Sequence, residues 1–200
     1  MTPKLQPMKN VPTMVKDTSL VEKRRRQIVD AAIKLFVRKG FHPTTTREIA
    51  RMAGMSIGSL YEYIGSKEDV LYLVCEAIHA EMESKVRQAL DEDSTARETL
   101  VNAISNYFQV CDRMQDLILL IYQESNSLEH EALRYVLAND ERITGIFEGI
   151  LSQGLKDGIL FLKENEVKLM AHNIIVLGHM WTFRRWFLKR AFSLDDFTRI

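Results

Sequence analysis

Apolar residues recur at helical spacing along most of the chain, and this periodicity constrains the fold more than any other feature. Between Glu22 and Gly40, for example, they fall three or four residues apart, on one face of a helix. Thr45 and Thr95 are each followed three residues later by Glu, a pattern typical of a helix start. Strand-like alternation is absent. The sequence therefore predicts an all-α protein of about nine helices.

The predicted helices form two groups, three short helices in front and a larger bundle behind. We predict a helix-turn-helix DNA-binding domain over residues 19–66 and a ligand-binding and dimerisation domain over residues 67–200. Residues 1–18 hold three of the four prolines and show no periodicity, which predicts a disordered N-terminal arm.

Charge is distributed unevenly although the formal net charge is zero. Residues 1–70 contain 13 Lys and Arg against 7 Asp and Glu, whereas residues 71–200 contain 14 against 20. A basic N-terminal part followed by an acidic remainder indicates that residues 1–70 bind a polyanion. Chance segregation of charged residues on a neutral surface would give the same pattern.

Several other classes of protein are not supported by the sequence. The longest apolar stretch, Ile174–Phe183, is interrupted by His179 and is shorter than the roughly 18 residues of a membrane span. The N-terminal residues lack the apolar core of a secretion signal. Cys75 and Cys111 stand alone, without CxxC spacing. We expect a cytosolic protein with reduced, partly buried cysteines and no membrane partner.

Enzymatic motifs are also missing from the sequence. A carboxylate-bridged metal bundle needs paired Glu-x-x-His motifs, and only Glu76 to His79 has that spacing. No Gly-x-Ser-x-Gly or phosphate-binding loop occurs, and the five histidines do not have metal-ligand spacing. We expect neither an enzyme nor a bound metal or cofactor.

The second and third predicted helices have the features of a helix-turn-helix. Ala50, Ala53 and Gly54 allow the two helices to pack closely, and Met55 and Leu60 can fill the space between them. The remaining face of the third helix is small and polar, which allows its backbone to enter a major groove about 12 Å wide.

The run TTTREIARMAGMSIGSLYEYIGSKEDVL closely resembles the DNA-binding signature of the TetR family of bacterial regulators, and the match extends over about residues 22–73. The resemblance implies a homodimer that binds double-stranded operator DNA and responds to a small effector. It also implies two groups of contact residues. Those facing the DNA backbone are Thr46, Arg47, Tyr61, Tyr63 and Lys67, and those reading bases are Ile57, Gly58 and Ser59.

Two residues depart from what DNA contact would favour. Glu62 places a carboxylate near DNA, where it either turns away from phosphate or accepts a hydrogen bond from a cytosine amino group. Ile57 has no hydrogen-bonding group, so any base readout there is apolar, for instance against a thymine methyl.

In TetR-type regulators the last two long helices of each subunit pair to form the dimer interface. Here these helices would span about residues 134–155 and 164–189. The apolar residues that could supply this interface are Ile146, Ile150, Leu151, Met170, Ile174, Leu177, Trp181 and Leu188. For each of them taken singly, intramolecular core is the safer interpretation.

The segment HMWTFRRWFLKR interleaves aromatic and basic residues. A similar helix end occurs in TetR-type regulators of fatty-acid and sterol breakdown, which sense acyl-CoA esters. Cations beside aromatic walls suit nucleotide phosphates and an adenine, while the alternative is a dimer-edge helix with extended basic side chains. A drug- or cation-responsive regulator of efflux genes, or an activator, is a further alternative. The candidate ligand-binding residues are Tyr122, Phe147, Trp181, Arg184, Arg185 and Lys189.

Overall fold

The computed structural model describes residues 10–88 and 95–199. Within these ranges the chain forms ten α-helices and no strand, which confirms the all-α prediction. The helices are α1 (Thr18–Lys39), α2 (Thr46–Met52), α3 (Ile57–Tyr61), α4 (Lys67–Arg87), α5 (Ala96–Arg113), α6 (Gln115–Glu124), α7 (His130–Lys156), α8 (Glu164–Phe183), α9 (Arg185–Ala191) and α10 (Leu194–Arg199). No helix in this part of the chain has both the length and the apolar character needed to cross a bilayer.

The chain divides into two compact units. The first comprises the described residues of Met1–Ile78 together with Leu120–Ala138, and the second comprises those of His79–Leu119 and Asn139–Ile200. The division therefore falls inside α4, α6 and α7, whereas the sequence placed a domain boundary at 66/67. A long continuous helix gives no local signal of where its packing partners change.

Two short helices of the first unit, α2 and α3, are each capped at their start by a hydroxyl side chain. Thr45 and Glu48 form a reciprocal capping box at α2, and the Ser56 hydroxyl accepts the backbone N–H of Ser59 at α3. The side chains buried beneath these helices are each at most 2% exposed; they include Ile28, Leu35, Phe36, Ile49 and Leu60.

Residues 10–17 differ from the predicted arm. Val11 is only 2% exposed, and the Met14 backbone N–H donates to the Glu62 carbonyl at 2.9 Å. An apolar anchor and a backbone hydrogen bond together order a segment that lacks periodicity. The rest of the predicted arm, residues 1–9, lies outside the described residues.

The second unit contains two helix breaks that lie in corresponding positions. Met114 separates α5 from α6 and Arg184 separates α8 from α9, and both residues have φ −102° and ψ 17°. The sequence predicted one helix over 164–189, which is wrong at Arg184. No proline or glycine marks this break in the sequence, so helical periodicity alone could not predict it. Beyond the break, Arg185 on α9 pairs with Asp116 on α6 at 2.6 Å.

Candidate nucleic-acid interface

The turn between α2 and α3 is built from small residues. Gly54 has φ +72°, a left-handed conformation that side-chain-bearing residues rarely adopt, and no atom lies within 4 Å of the position a Cβ would take there. Ala50 is 1% exposed and its carbonyl accepts the Met55 N–H at 3.0 Å. These contacts fix the turn, so α3 is presented as a short rigid helix.

The outer face of α3 is exposed, and the residues at its middle, Gly58 and Ser59, are small. Ile57 is 38% and Tyr61 is 41% exposed, and Gly58 lies between them in sequence with only the Ser56 hydroxyl near its missing Cβ, at 3.8 Å. Ser59 is half-buried. A helix with so little side-chain bulk can bring its backbone close to base edges in a major groove.

Two of the predicted backbone-contacting residues lie together. The Thr46 hydroxyl at the start of α2 and the Tyr61 hydroxyl at the end of α3 are 3.2 Å apart and share a hydrogen bond. One of the two hydroxyls donates to the other, which leaves the second O–H free to donate to a phosphate. Arg47, next to Thr46, has an exposed side chain.

Lys67 has a different environment from the one predicted. Its Nζ donates to the carbonyls of Phe41, His42 and Thr44 at 3.2, 3.3 and 3.1 Å, and lies 4.2 Å from the centroid of the Phe41 ring. An ammonium has three N–H donors, and here the three carbonyls use all of them. Lys67 therefore organises the 41–44 turn that leads into α2, and its role as a phosphate contact stays a prediction.

Tyr63 and Glu62 occupy opposite environments at the end of α3. Tyr63 is 5% exposed, so its ring belongs to the core of the first unit. The Glu62 side chain is exposed, and its backbone carbonyl accepts hydrogen bonds from Met14 and from the Thr13 hydroxyl. The structure thus leaves the Glu62 carboxylate available to a partner.

Glu48 has a structural role beside this face. Hydrogen bonds from the Lys39 ammonium, at 2.7 and 2.8 Å, lower the pKa of the Glu48 carboxyl to about 2, and the Thr45 backbone and hydroxyl contribute further. The carboxylate is therefore deprotonated at neutral pH.

Sequence reasoning missed a contact between Glu124 and the turn after α1. One Glu124 carboxylate oxygen accepts the Phe41 backbone N–H at 3.1 Å, and the His42 ring lies 3.2 Å from the Ser127 hydroxyl. These partners are more than 80 residues apart in sequence, so no local pattern predicts the contact.

The six candidate ligand-binding residues are divided between the two units. Tyr122 belongs to the first unit and is 52% exposed, whereas the other five belong to the second unit. Phe147 is fully buried and its ring packs edge-on against Tyr107 at 5.5 Å. In the described structure Phe147 is therefore a core residue.

Two of the three cations in the predicted basic cluster, Arg185 and Lys189, are paired with carboxylates. Asp112 accepts hydrogen bonds from the buried Trp181 indole and from the Lys189 ammonium, both at 2.8 Å. Arg185 pairs with Asp116. Arg184 is exposed, with its guanidinium carbon 5.2 Å from the centroid of the exposed Trp186 ring.

Buried titratable groups in the two units have perturbed pKa values. Burial raises the pKa of the Cys75 and Cys111 thiols to about 12, so both are unreactive thiols. Burial also lowers the pKa of His179 against the opposing charge of Asp140, which favours the neutral imidazole. Among the described residues, no cluster of His, Cys, Asp or Glu is arranged to hold a metal ion.

A short helix with an exposed small-residue face, held by a glycine turn against α2, defines a helix-turn-helix DNA-binding regulator. Models of two domains match the chain. The model of bacterial regulatory proteins of the tetR family matches residues 28–72, and a tetracyclin repressor-like C-terminal domain matches residues 93–190. The chain belongs to the TetR family of bacterial regulatory proteins.

Individual relatives agree with this assignment. HbdR, a transcriptional regulator of Aromatoleum sp. (strain CIB), is 29% identical over 188 residues, which cover 94% of this chain and 81% of HbdR. The structure of FadR from Bacillus subtilis in complex with stearoyl-CoA has a TM-score of 0.70 at 22% identity, covering 87% of this chain and 93% of FadR. AibR, crystallised with isovaleryl coenzyme A and operator DNA, has a TM-score of 0.70 at 19% identity, covering 88% and 94%. These similarities confirm the predicted fold.

Proposed function

We propose that two copies of this chain bind a palindromic operator as a homodimer, repress transcription there, and leave the DNA when an acyl-CoA binds the second unit. The observation that carries the DNA-binding part is the exposed face of α3, where small residues flank the paired hydroxyls of Thr46 and Tyr61. Two such helices, related by a two-fold axis, would read half-sites whose centres are about 34–36 Å apart or somewhat more.

The surface of α8 supports the homodimer. A row of apolar side chains on this helix is 38–62% exposed, which is unusual for a helix with a buried opposite face. A second copy that packs its own α8 against this row would remove the apolar area from water. The exposed residues are Leu169, Met170, Val176, Leu177 and Met180.

Structural relatives that bind CoA esters support the choice of effector. FadR and AibR were crystallised with acyl chains of very different length attached to the same CoA group. In this chain Arg184 and the exposed Trp186 ring form a cation–aromatic pair suited to an adenine and its phosphates. For Arg185 and Lys189 to join them, CoA phosphates must displace the carboxylates of Asp116 and Asp112.

An operator titration tests the proposal, run without effector and then with a long-chain acyl-CoA, the free fatty acid or free CoA. We expect the ester alone to weaken operator binding, by the roughly 5- to 150-fold typical of allosteric coupling. Replacing both Arg184 and Arg185 with Ala should remove this response and leave operator affinity unchanged.

Other outcomes of the titration contradict parts of the proposal. If the free fatty acid acts as strongly as the ester, the cluster does not bind a nucleotide. If a lipophilic cation acts and the ester does not, the protein is a drug-responsive regulator. A strictly monomeric protein without sequence preference in a random-site selection would refute the DNA-binding proposal itself.

A further inference from the structure

Gly58 and Glu62 lie side by side at the centre of the exposed face of α3. Each is two residues away from Leu60, the buried residue of this helix, and at 3.6 residues per turn each therefore lies about 160° from the buried side. Glu62 caps α3 with φ −69° and ψ −23°, so it continues the helical geometry by one residue. Because the two residues are four apart in sequence, they are neighbours on one face of the helix.

The Glu62 carboxylate stands beside an open stretch of this face. Side chains of a helix lean toward its N-terminus, so Glu62 leans toward the turn that contains Gly58. A Cβ built at Gly58 would meet only the Ser56 hydroxyl, at 3.8 Å, which leaves that space open to another molecule. The Glu62 side chain is exposed, and no ion pair within residues 10–88 and 95–199 includes it. The carboxylate can therefore meet a hydrogen-bond donor that approaches α3 from outside.

Contacts from outside α3 fix the backbone of Glu62. Its carbonyl accepts hydrogen bonds from the Met14 N–H and the Thr13 hydroxyl, both at 2.9 Å. The next carbonyl, that of Tyr63, accepts the Arg25 Nε–H from α1 at 3.0 Å. Because α3 has only five residues, its position depends on such contacts more than on its own hydrogen bonds. A side chain that starts from a fixed backbone has fewer conformations to lose when it binds, which favours a specific contact.

We propose that Glu62 reads one base pair of each half-site by accepting a hydrogen bond from the amino group of a cytosine in the major groove. The inference rests on the proposed operator binding and adds a specificity-determining residue to it. A carboxylate only accepts hydrogen bonds, and the donors that base edges present in the major groove are the amino groups of cytosine and adenine. The adenine amino group lies between two acceptors, its own N7 and the thymine O4, which repel a carboxylate. The cytosine amino group has an acceptor on one side only, the guanine O6, and is therefore the better partner.

Binding to a panel of operator variants tests this proposal. The operator is obtained with the parent protein by selection from random duplexes, and every single-base variant of one half-site is then titrated with the parent, Glu62→Ala and Glu62→Gln. In the parent, replacing cytosine at one position should weaken binding by roughly 5- to 150-fold. Glu62→Ala should abolish the preference at that position and keep the ranking at all others. Glu62→Gln should move the preference toward adenine, because a carboxamide can donate to N7 while it accepts from the amino group.

Two controls separate this effect from others. Glu141→Ala removes an exposed carboxylate from the second unit and should leave the whole ranking unchanged. The melting temperatures of both Glu62 variants should equal that of the parent, because the backbone of Glu62 makes its contacts with Thr13 and Met14.

Three outcomes overturn the proposal. In the first, Glu62→Ala binds every duplex more tightly by the same factor, a scrambled one included, which means that the carboxylate only repels phosphate. In the second, the parent and Glu62→Ala rank the panel identically. In the third, the preference that Glu62→Ala loses is for adenine and not for cytosine. A parent protein that selects no sequence from random duplexes refutes the proposed operator binding instead.

Discussion

Gly58 on α3 and Gly178 on α8 both lie on helices and close to aromatic residues in sequence. They differ in what surrounds the position that a Cβ would occupy. A Cβ at Gly58 would meet only the Ser56 hydroxyl, at 3.8 Å. A Cβ at Gly178 would collide with the Tyr107 ring and would lie 2.9 Å from the Cys111 sulfur. A missing side chain lets another group approach closely. At Gly178 that group is the chain's own α5, whereas the space at Gly58 is open to another molecule.

The largest effect in this comparison is expected for Gly178→Ala. The added methyl has to push aside a buried ring, so the free energy of unfolding should fall by about 3 kcal/mol. Gly149→Ala on α7 is the matched control, since nothing lies within 4 Å of its Cβ position. This control should be neutral or stabilising by up to about 1 kcal/mol. Thermal and urea unfolding of both variants measures the difference, and equal stabilities would show that α5 and α8 do not pack closely at Gly178.

An intermediate effect is expected for Lys67→Met, which keeps the aliphatic contact with Phe41 and removes the donors to three carbonyls. Loss of these hydrogen bonds should lower the free energy of unfolding by about 2 kcal/mol. The exposed Arg47 provides the control, because Arg47→Met should leave stability unchanged while reducing the salt slope of DNA binding by about 0.9. If Lys67→Met instead changes the salt slope and not the stability, Lys67 contacts phosphate and the 41–44 turn does not depend on it.

The smallest effect is expected for Gly58→Ala. Stability should be unchanged or slightly higher, because Ala favours a helix and meets only an ordinary contact there. Operator binding should change by about 1–3 kcal/mol at particular base pairs, since the methyl would face the base edges. Binding to a panel of single-base operator variants measures this. If the parent protein and the Gly58→Ala variant rank the panel identically, α3 does not read bases at this position.

The sequence predicted features whose causes are local. The helix starts at Thr45 and Thr95 were predicted from capping residues close in sequence to the groups they cap, and the structure has both. The exposed face of α3 was also predictable, because the residues that form it lie next to one another in a single short helix.

Features that depend on distant residues could not be predicted in this way. Lys67 has the sequence context of a phosphate contact, but its partners are carbonyls 23 to 26 residues earlier. In the sequence Arg185 and Lys189 have no visible partner, but the structure pairs them with Asp116 and Asp112, which lie 69 and 77 residues earlier. Periodicity and composition do not specify such pairings.

Residues 120–138 pack with the N-terminal unit, and this has a practical consequence for building chimeric regulators. A recombinant joined at 66/67 would separate Lys67 from the carbonyls of the 41–44 turn, and Glu124 from the Phe41 N–H. A DNA-binding domain from another regulator, joined at 66/67, would lack its own side chains at the positions of Lys67 and Glu124. The first unit is discontinuous in sequence, so we expect a graft that carries residues up to 78 together with the 120–138 segment to keep these contacts.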